Sequence, residues 1–317
     1  MIQTPFLCLI LLKIYRTLFC MSLYIDSLSK FYGTQHVLKN ISFHVESGEI
    51  IGFLGPNGAG KSTAMKIITG FVQPDSGSIF VDGIDVLNDT LHAQKIIGYL
   101  PEHNPLYLDM YVAEYLLFIA QLYKLGKESK QRVEDIIEKT GLTREYTKKI
   151  GQLSKGYRQR VGLAQAMIHN PKVLILDEPT TGLDPNQLVE IRELVKEVGK
   201  DKTVILSTHI MQEVQAVCDR YVIIREGSIV ADSKKDKIHD TVTIVVEFAN
   251  PISKEHLFMI DKITAIHAIN ARSYVVECNE DIRYLLYQFA VEQGVGLVTL
   301  HLQEQNLEEL FRKLTRN

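Results

Sequence analysis

The sequence has few cysteines, little net charge and no long apolar run, and each of these absences excludes a class of protein. Its four cysteines, at positions 8, 20, 218 and 278, form neither a CxxC pair nor a cluster of metal ligands. We therefore expect free thiols of a reducing compartment, and neither a disulfide framework nor a zinc site. The 35 basic and 38 acidic residues leave a net charge of −3. Such a balance provides no global attraction for nucleic acid or for an anionic membrane, and we expect no nucleic-acid partner.

The first 20 residues have a different pattern from the rest of the chain. The apolar run Pro5–Leu12 is interrupted by Lys13 and followed by Arg16, so it is shorter than the ~20 residues that span a bilayer. The charges come after the apolar run, whereas those of a signal peptide come before it. We predict that residues 1–20 are an upstream extension and that Met21 is the true start. No later segment is long and apolar enough to cross a membrane, which predicts a soluble or peripherally bound chain.

Apolar runs separated by turn residues predict an α/β organisation in two parts. Short strands and helices alternate over residues 21–232, and a mostly helical stretch interrupts them at about 103–170. The lysine-rich stretch 233–240 indicates a linker. Residues 241–317 have the order βαββαβ, typical of a small ferredoxin-like domain, and end in a helix at Leu307–Leu314. We expect an α/β core with an antiparallel β edge and a helical subdomain, followed by a small α+β accessory domain for dimer support or regulation.

The segment Gly55–Ser62 fits the pattern G-x-x-x-x-G-K-[ST] and lies between a buried strand, Ile50–Leu54, and a helix. In this pattern the glycines let backbone N–H groups turn toward phosphate oxygens, Lys61 adds positive charge at the β- and γ-phosphates, and the Ser62 hydroxyl can bind Mg²⁺. The alternative is a glycine-rich turn that binds nothing, and the strand–loop–helix context counts against it. The predicted phosphate-binding set is Gly55, Pro56, Asn57, Gly58, Ala59, Gly60, Lys61, Ser62 and Thr63.

A second apolar strand ends in two carboxylates. The strand Val173–Leu176 leads into Asp177, which can bind the metal, and Glu178 can then act as general base toward an attacking water. Alone, this pair is also consistent with a strand that ends in a solvated acidic turn. The phosphate loop in the same α/β layout favours the catalytic interpretation.

The run Leu153–Tyr157 combines a serine that can cap a helix with a glycine that allows close approach of the backbone. Ser154 and Gly156 therefore predict a helix N-terminus that can receive an anion. By itself the run would indicate only a capped helix with a basic first turn. Its position between the two nucleotide motifs favours a phosphate contact.

In this order, the motifs of residues 22–232 resemble those of an ABC transporter ATP-binding subunit. The resemblance implies that Tyr32 stacks on adenine, that Asp184 lies in a dimer contact, and that His209 contacts the γ-phosphate. A single histidine after a strand is otherwise a surface or core residue, and the ordered set of motifs argues against that alternative.

The resemblance also implies the cofactors and the partners. ATP and Mg²⁺ would bind between two subunits stacked head to tail, as a homodimer or a pseudo-symmetric dimer. Each site would pair the Lys61 loop of one subunit with Ser154 and Gly156 of the other, and hydrolysis would open the dimer. The dimer would drive a separate integral membrane permease, in export, from the cytoplasmic face of the inner membrane.

Two places depart from the family pattern. Glu102 follows the Gly98–Pro101 strand where the family usually has Gln, and its carboxylate can bind Mg²⁺ but adds negative charge near the triphosphate. The predicted metal ligands are thus Ser62, Glu102 and Asp177. Lys155 and Tyr157 stand where Gly and Gln are usual. Lys155 either attracts phosphate or is an exposed first-turn lysine.

Two stretches, Tyr99–Tyr111 and Lys149–Arg160, resemble the narrower group of gliding-motility (GldA-type) subunits. The resemblance implies that the permease docks on the apolar, aromatic part near Glu102–Tyr111; the alternative is packing within the helical region.

Two further functions have to be weighed. A soluble regulatory ATPase that acts on ribosomes or nucleic acid is one alternative, but such proteins usually carry two cassettes and a charged insertion. A ligand-sensing module is the other, and the intact catalytic set argues against it.

Overall fold

The computed structural model describes residues 21–235 and 242–303. They form two compact units, the first ending at Asp232 and the second beginning at Ser233. The predicted upstream extension, residues 236–240 of the predicted linker and the predicted helix Leu307–Leu314 lie outside the described residues. Within these described ranges, no helix combines the length and the apolar character needed to span a bilayer.

The first unit alternates strands and helices in a manner typical of an α/β fold. In chain order its elements are β1 (Met21–Tyr32), β2 (Gln35–Glu46), β3 (Ile50–Leu54), α1 (Lys61–Ile68), β4 (Ser76–Val81), β5 (Ile84–Asp85), α2 (Thr90–Ile96), β6 (Ile97–Leu100), α3 (Val112–Leu122), α4 (Ser129–Lys139), α5 (Lys155–Met167), β7 (Val173–Asp177), α6 (Pro185–Gly199), β8 (Thr203–Thr208), α7 (Met211–Val217), β9 (Arg220–Arg225) and β10 (Ser228–Lys234).

The central sheet has the strand order β10-β9-β3-β8-β7-β6, and its strands from β9 to β6 pair in parallel. Strands β3, β7 and β8 are buried along their whole length, as expected for strands without polar alternation that are covered on both faces. Because parallel strands end at the same edge of a sheet, the loops after β3, β7 and β8 meet there.

An antiparallel sheet of order β2-β1-β4-β5 supplies the predicted β edge. One hydrophobic cluster contains residues of both sheets and of α1, among them Leu23, Phe43, Phe53 and Ile68. The rings of Phe43 and Phe53 lie 5.4 Å apart between their centroids. Each fully buried side chain of this size stabilises the fold by about 1.5–3 kcal/mol, so the cluster holds the two sheets and α1 together. The predicted α/β core with an antiparallel edge is confirmed.

Helices α3, α4 and α5 form the predicted helical region. Leu116 and Ile119 of α3 are buried as their spacing predicts. Tyr123 lies just after the end of α3 and is partly exposed. Its ring stacks on His169 with 3.9 Å between the centroids and an interplanar angle of 1°, so it contacts the loop after α5 instead of the inner face of α3.

Helix α5 rests directly on the edge strand β6. Gly98 of β6 has no room for a side chain, because a Cβ atom there would collide with the carbonyl oxygen of Ala166 near the end of α5. Nε of Arg132 on α4 donates to the carbonyl oxygen of Ile168 at 2.8 Å. The C-terminal end of α5 is therefore fixed against the sheet, while Ser154 caps the opposite end by accepting from the backbone N–H of Tyr157 at 3.4 Å.

In chain order, the elements in the described part of the second unit are β11 (Val242–Phe248), α8 (Lys254–Leu257), β12 (Ile263–Ala268), β13 (Ser273–Cys278), α9 (Arg283–Glu292) and β14 (Leu297–Gln303). These strands form an antiparallel sheet with the order β12-β13-β11-β14. Helix α9 begins at Arg283, and the Asp281 carboxylate just before it accepts from the backbone N–H of Arg283.

Candidate functional site

The loop between β3 and α1 has a backbone that only glycine adopts readily. Gly58 has a φ angle of 80° and Gly60 a φ angle of 107°, in the region where L side chains are strained. A Cβ atom on Gly60 would also lie 2.9 Å from the carbonyl oxygen of Val37. The predicted phosphate loop therefore has the curled backbone that its sequence pattern demands, and α1 begins immediately after it at Lys61.

Lys61 is buried against its own loop, with 6% of its surface exposed. Its Nζ donates to the carbonyl oxygens of Gly55 at 2.8 Å and Pro56 at 3.3 Å. The same Nζ lies 3.3 Å from Oε1 of Glu178. A buried ammonium group is tolerated because it has these partners, and it lies where a phosphate in the loop would meet it.

Asp177 ends β7 with 1% of its surface exposed. Its Oδ1 is buried without a hydrogen-bond partner among the described residues. Burial raises the pKa of Asp177, and the carboxylates of Glu102 and Glu178 raise it further. The hydroxyl of Ser62 opposes the rise.

This set of oxygens fits Mg²⁺, which prefers a few carboxylate and hydroxyl ligands and keeps several waters. A buried carboxylate oxygen without a partner is otherwise costly, and a bound cation would satisfy it. Glu102 is exposed just after β6, so it can approach the same ion from the solvent side.

Glu178 joins three parts of the site. Its carboxylate lies beside Lys61, and its Oε2 lies 2.8 Å from Nδ1 of His209. The Thr181 hydroxyl donates to the same Oε2 at 3.4 Å. Glu178 has a φ angle of 51°, a conformation that costs a non-glycine residue about 1–3 kcal/mol and that occurs mostly at functional sites.

These groups line a cleft of about 440 Å³. Tyr32 is half exposed at its rim, with Nζ of Lys30 5.6 Å from the ring centre. Two of the lining residues, Val37 and Thr181, were not predicted from the sequence. Val37 belongs to no motif, whereas Thr181 lies a few positions after the Asp177-Glu178 pair and could have been inferred from it. The cleft is lined by Tyr32, Val37, Asn57, Gly58, Gly60, Lys61, Ser62, Thr63, Glu102, Glu178, Thr181 and His209.

Ser154 and Gly156 are not part of this lining. Ser154 is exposed at the start of α5, and Gly156 packs closely against the Gln187 side chain of α6. Asp184 caps α6 by accepting from the backbone N–H of Gln187 at 3.0 Å. The exposed Lys155 extends its ammonium group over Gly182, in the turn that leads to Asp184. Within one chain, the start of α5 therefore contacts the turn before α6 and not the phosphate loop.

Comparison with known proteins agrees with this geometry. Residues 38–181 match a family model described as ABC transporter. The linearmycin resistance ATP-binding protein LnrL of Bacillus subtilis is 34% identical over 301 residues, which cover 92% of this chain and 97% of that protein. The Nod factor export ATP-binding protein I of Burkholderia thailandensis is 40% identical over 297 residues, which cover 92% and 95%.

Solved structures give the same result. The ATP-binding subunit of an ABC transporter superimposes with a TM-score of 0.63 at 32% identity, over 68% of this chain and 91% of that one. A dimeric ATP-binding cassette in a post-hydrolysis state, bound to ADP and Pi, superimposes with a TM-score of 0.62 at 25% identity, over 67% and 98%. The chain therefore belongs to the ATP-binding subunits of ABC transporters and is an ATPase that uses ATP and Mg²⁺.

Proposed function

We propose that this chain is the ATP-hydrolysing subunit of an exporter and that it drives a separate integral membrane permease from the cytoplasmic face of the inner membrane. The observation that carries the proposal is the meeting of Lys61, Glu178 and His209 in one cleft, above the buried Asp177. Relatives of similar length are named for linearmycin resistance and for Nod factor export, and both names support an export role.

Each side chain has a distinct task in this proposal. The N–H groups of the phosphate loop and Lys61 hold the phosphates, while Ser62, Asp177 and Glu102 hold Mg²⁺. The bound ion supplies charge neutralisation at the phosphates. Glu178 takes the proton of the attacking water. His209 orients the Glu178 carboxylate through Nδ1, and its exposed ring can reach the γ-phosphate.

The subunits act as a head-to-tail dimer in this proposal. The exposed Ser154 and the nearby Gly156 are outside the cleft of their own chain, and a second subunit could bring them to the phosphates from the opposite side. A helix N-terminus stabilises negative charge, so α5 of one subunit would close the cleft of the other. The dimeric form of a similar cassette supports this arrangement.

The permease docks on an apolar cleft of about 520 Å³ in the first unit. Phe71, Tyr99 and Tyr123 contribute aromatic rings to it, and Phe71 is 69% exposed. Tyr107 and Leu108, in the predicted docking segment, are also about half exposed. Exposed apolar side chains of this kind are typical of a protein partner site, and Pro101, His103 and Pro105 line the same cleft, which supports docking near Glu102–Tyr111.

The gliding-motility subclass remains a prediction that rests on the stretches Tyr99–Tyr111 and Lys149–Arg160. The relatives described above carry other names, for linearmycin resistance and for Nod factor export. These names also weigh against the alternative of a soluble regulatory ATPase on ribosomes or nucleic acid.

A pull-down tests the proposal. Tagged Glu178→Gln protein, incubated with ATP and detergent-solubilised membranes of the source cells, should recover one multi-spanning membrane protein at near-equal amount, identified by mass spectrometry. Leu108→Glu in the same background should lose that protein, because it places a charge at an exposed position of the docking segment Glu102–Tyr111. Val230→Glu, at a similarly exposed position on β10, should retain it. Recovery of ribosomal proteins without a membrane protein would favour the alternative.

A further inference from the structure

A fully buried carboxylate lies behind the catalytic cleft. Glu213 of α7 has none of its surface exposed. Its Oε1 accepts from the hydroxyl of Thr180, and its Oε2 accepts from the hydroxyl of Thr208 at 2.6 Å. Both threonines are themselves buried, with 4% and 0% of their surface exposed. One carboxylate therefore bridges two hydroxyl groups, one from the loop after β7 and one from the end of β8.

These two segments are the ones that present Glu178 and His209. Thr180 follows Glu178 by two residues, and Thr208 directly precedes His209. The bridge through Glu213 runs behind the contact between Glu178 and His209 that faces the cleft. The two hydrogen bonds of the bridge and the single contact between Glu178 and His209 make a closed ring, so the distance between the two segments is fixed at two points.

Thr208 also connects this ring to the phosphate loop. Its carbonyl oxygen accepts from the backbone N–H of Gly55 at 3.3 Å. Its hydroxyl accepts from the backbone N–H of Ile210 at 3.0 Å while it donates to Glu213. The hydroxyl is therefore held in one orientation, and the loop that bears His209 is tied both to Glu213 and to the start of the phosphate loop.

A carboxylate in this position is not explained by stability alone. Transferring a carboxylate from water to the interior costs several kcal/mol unless its partners compensate fully. Within residues 21–235 and 242–303, Glu213 forms no ion pair. The hydrogen bonds that its carboxylate accepts there come from the two threonine hydroxyl groups. Glu178 next to the bridge adopts a left-handed φ angle, which persists only where the surroundings determine it.

We infer that Glu213 is a positioning residue for ATP hydrolysis, which sets the Glu178 carboxylate and the His209 ring at the separation that the reaction needs. The inference rests on the proposed roles of Glu178 and His209. Glu213 itself contacts neither the cleft nor the nucleotide site. It acts through Thr180 and Thr208.

The first test compares Glu213→Leu with Glu213→Gln. Leucine has a similar volume but no acceptor, so kcat for ATP hydrolysis should fall about 10- to 100-fold, since small displacements of reacting groups have effects of this size. KM for ATP should stay within about twofold, because the phosphate loop keeps its own contacts. The glutamine side chain keeps one oxygen that accepts a hydrogen bond, and its NH₂ group can donate one to the oxygen of a threonine hydroxyl. Glu213→Gln should therefore retain most of the wild-type kcat.

The second test uses threonines, in case Glu213→Leu does not fold. Thr180→Val removes one hydroxyl from the bridge and should lower kcat with little change in KM. Thr140→Val is the matched control, because Thr140 is equally buried and its hydroxyl donates only to the carbonyl oxygen of Ile136 within α4 and its cap. A folded Thr180→Val protein with the kcat of the control would overturn the inference. So would equal losses in Glu213→Leu and Glu213→Gln, or a loss that appears in KM.

A third variant separates this inference from the proposed function. In the Glu178→Gln background, single-turnover hydrolysis should show no further loss when Glu213→Leu is added, because the two residues act on the same step. If Glu178→Gln alone keeps wild-type turnover, the assignment of Glu178 fails. If Glu178→Gln is inactive but Glu213→Leu is as active as wild type, only the positioning role of Glu213 fails.

Discussion

The two units of the chain bury different kinds of side chains. The first unit buries Lys61, Asp177 and Glu178 at the end of a parallel sheet. The described part of the second unit has a core of apolar side chains such as Ile244, Phe248 and Leu286; its buried polar side chains are Thr243 and Ser273. Burying ionisable groups costs free energy, so the contrast indicates that the first unit gives up stability for chemistry while the second is organised for packing.

The largest effect that would test this contrast is expected from Glu178→Gln. An amide cannot take the proton from water, so kcat should fall about 10³-fold, while ATP binding and dimerisation persist. Phosphate release under saturating ATP and equilibrium binding of ATP measure the two quantities. Glu277→Gln, a partly exposed glutamate of the second unit, is the control and should leave kcat unchanged. Wild-type turnover in the Glu178→Gln variant would show that Glu178 is not the general base.

The next effect belongs to the second unit and is one of stability. Leu286 of α9 is fully buried, and Leu286→Ala should lower the free energy of unfolding by about 3 kcal/mol through loss of contacts and a residual cavity. Urea denaturation, followed for the transition of this unit, measures it. The kcat of the folded protein should not change. A loss of kcat under conditions where the protein is folded would show that the second unit takes part in hydrolysis.

A somewhat smaller effect is expected from Lys61→Ala. Loss of a charge-assisted contact of about 1.5–3 kcal/mol should weaken ATP binding about 10- to 100-fold. Titration calorimetry with ATP measures the affinity. Lys66→Ala, one turn further along α1 and outside the phosphate cleft, should bind ATP normally. Unchanged affinity in Lys61→Ala would contradict the phosphate-loop assignment.

The smallest effect concerns the pH dependence of stability in the first unit. Burial lowers the pKa of His169 to about 4, while the carbonyl oxygen of Ile97 opposes the shift by accepting a hydrogen bond at 3.0 Å. Because the unfolded chain takes up this proton more readily, the stability contribution is complete above about pH 6.5 and is lost as the pH falls toward about 4.

His169→Phe keeps a ring against Tyr123 but cannot be protonated. The fall in unfolding free energy between pH 7 and pH 5 should be about 1–2 kcal/mol smaller than in the wild type. Denaturation at the two pH values measures the difference. In the wild type, the His169 resonance in NMR should titrate at about pH 4. Titration near pH 6.5 would show that burial does not lower the pKa of His169.

The motifs of the first unit could be predicted because their chemistry depends on local spacing. The phosphate loop needs its glycines at fixed positions, and the carboxylate pair follows an unmistakably apolar strand. The contact between Glu178 and His209 could not be derived from the residues alone, since it depends on the pairing of β7 with β8. There Asp177 lies opposite Ser207, and this register brings residues 31 positions apart together.

Glu213 was missed because a single glutamate in a helical pattern has the appearance of a surface residue. Only the tertiary structure shows that α7 turns it inward toward Thr180 and Thr208. The full length of strand β1 is also difficult to predict, because the apolar run Leu23–Ile25 is followed by polar residues. The register shifts between Ile25 and Leu28, and Ser27 has a φ angle of 52°. This irregularity breaks the polar alternation, and the strand then continues to Tyr32.

Because Gly98 packs directly against Ala166, a tilt of α5 would pivot about the point where its C-terminal end contacts the edge strand. The helix has 13 residues and is therefore about 20 Å long. A tilt of about 10° around this contact would move Ser154, at the other end of the helix, by about 3.5 Å. This distance is more than the length of a hydrogen bond. Because position 98 has no side chain, the C-terminal end of α5 lies directly on the sheet. A small rotation of the helix there would therefore be enough to make or break a hydrogen bond to Ser154 at its other end.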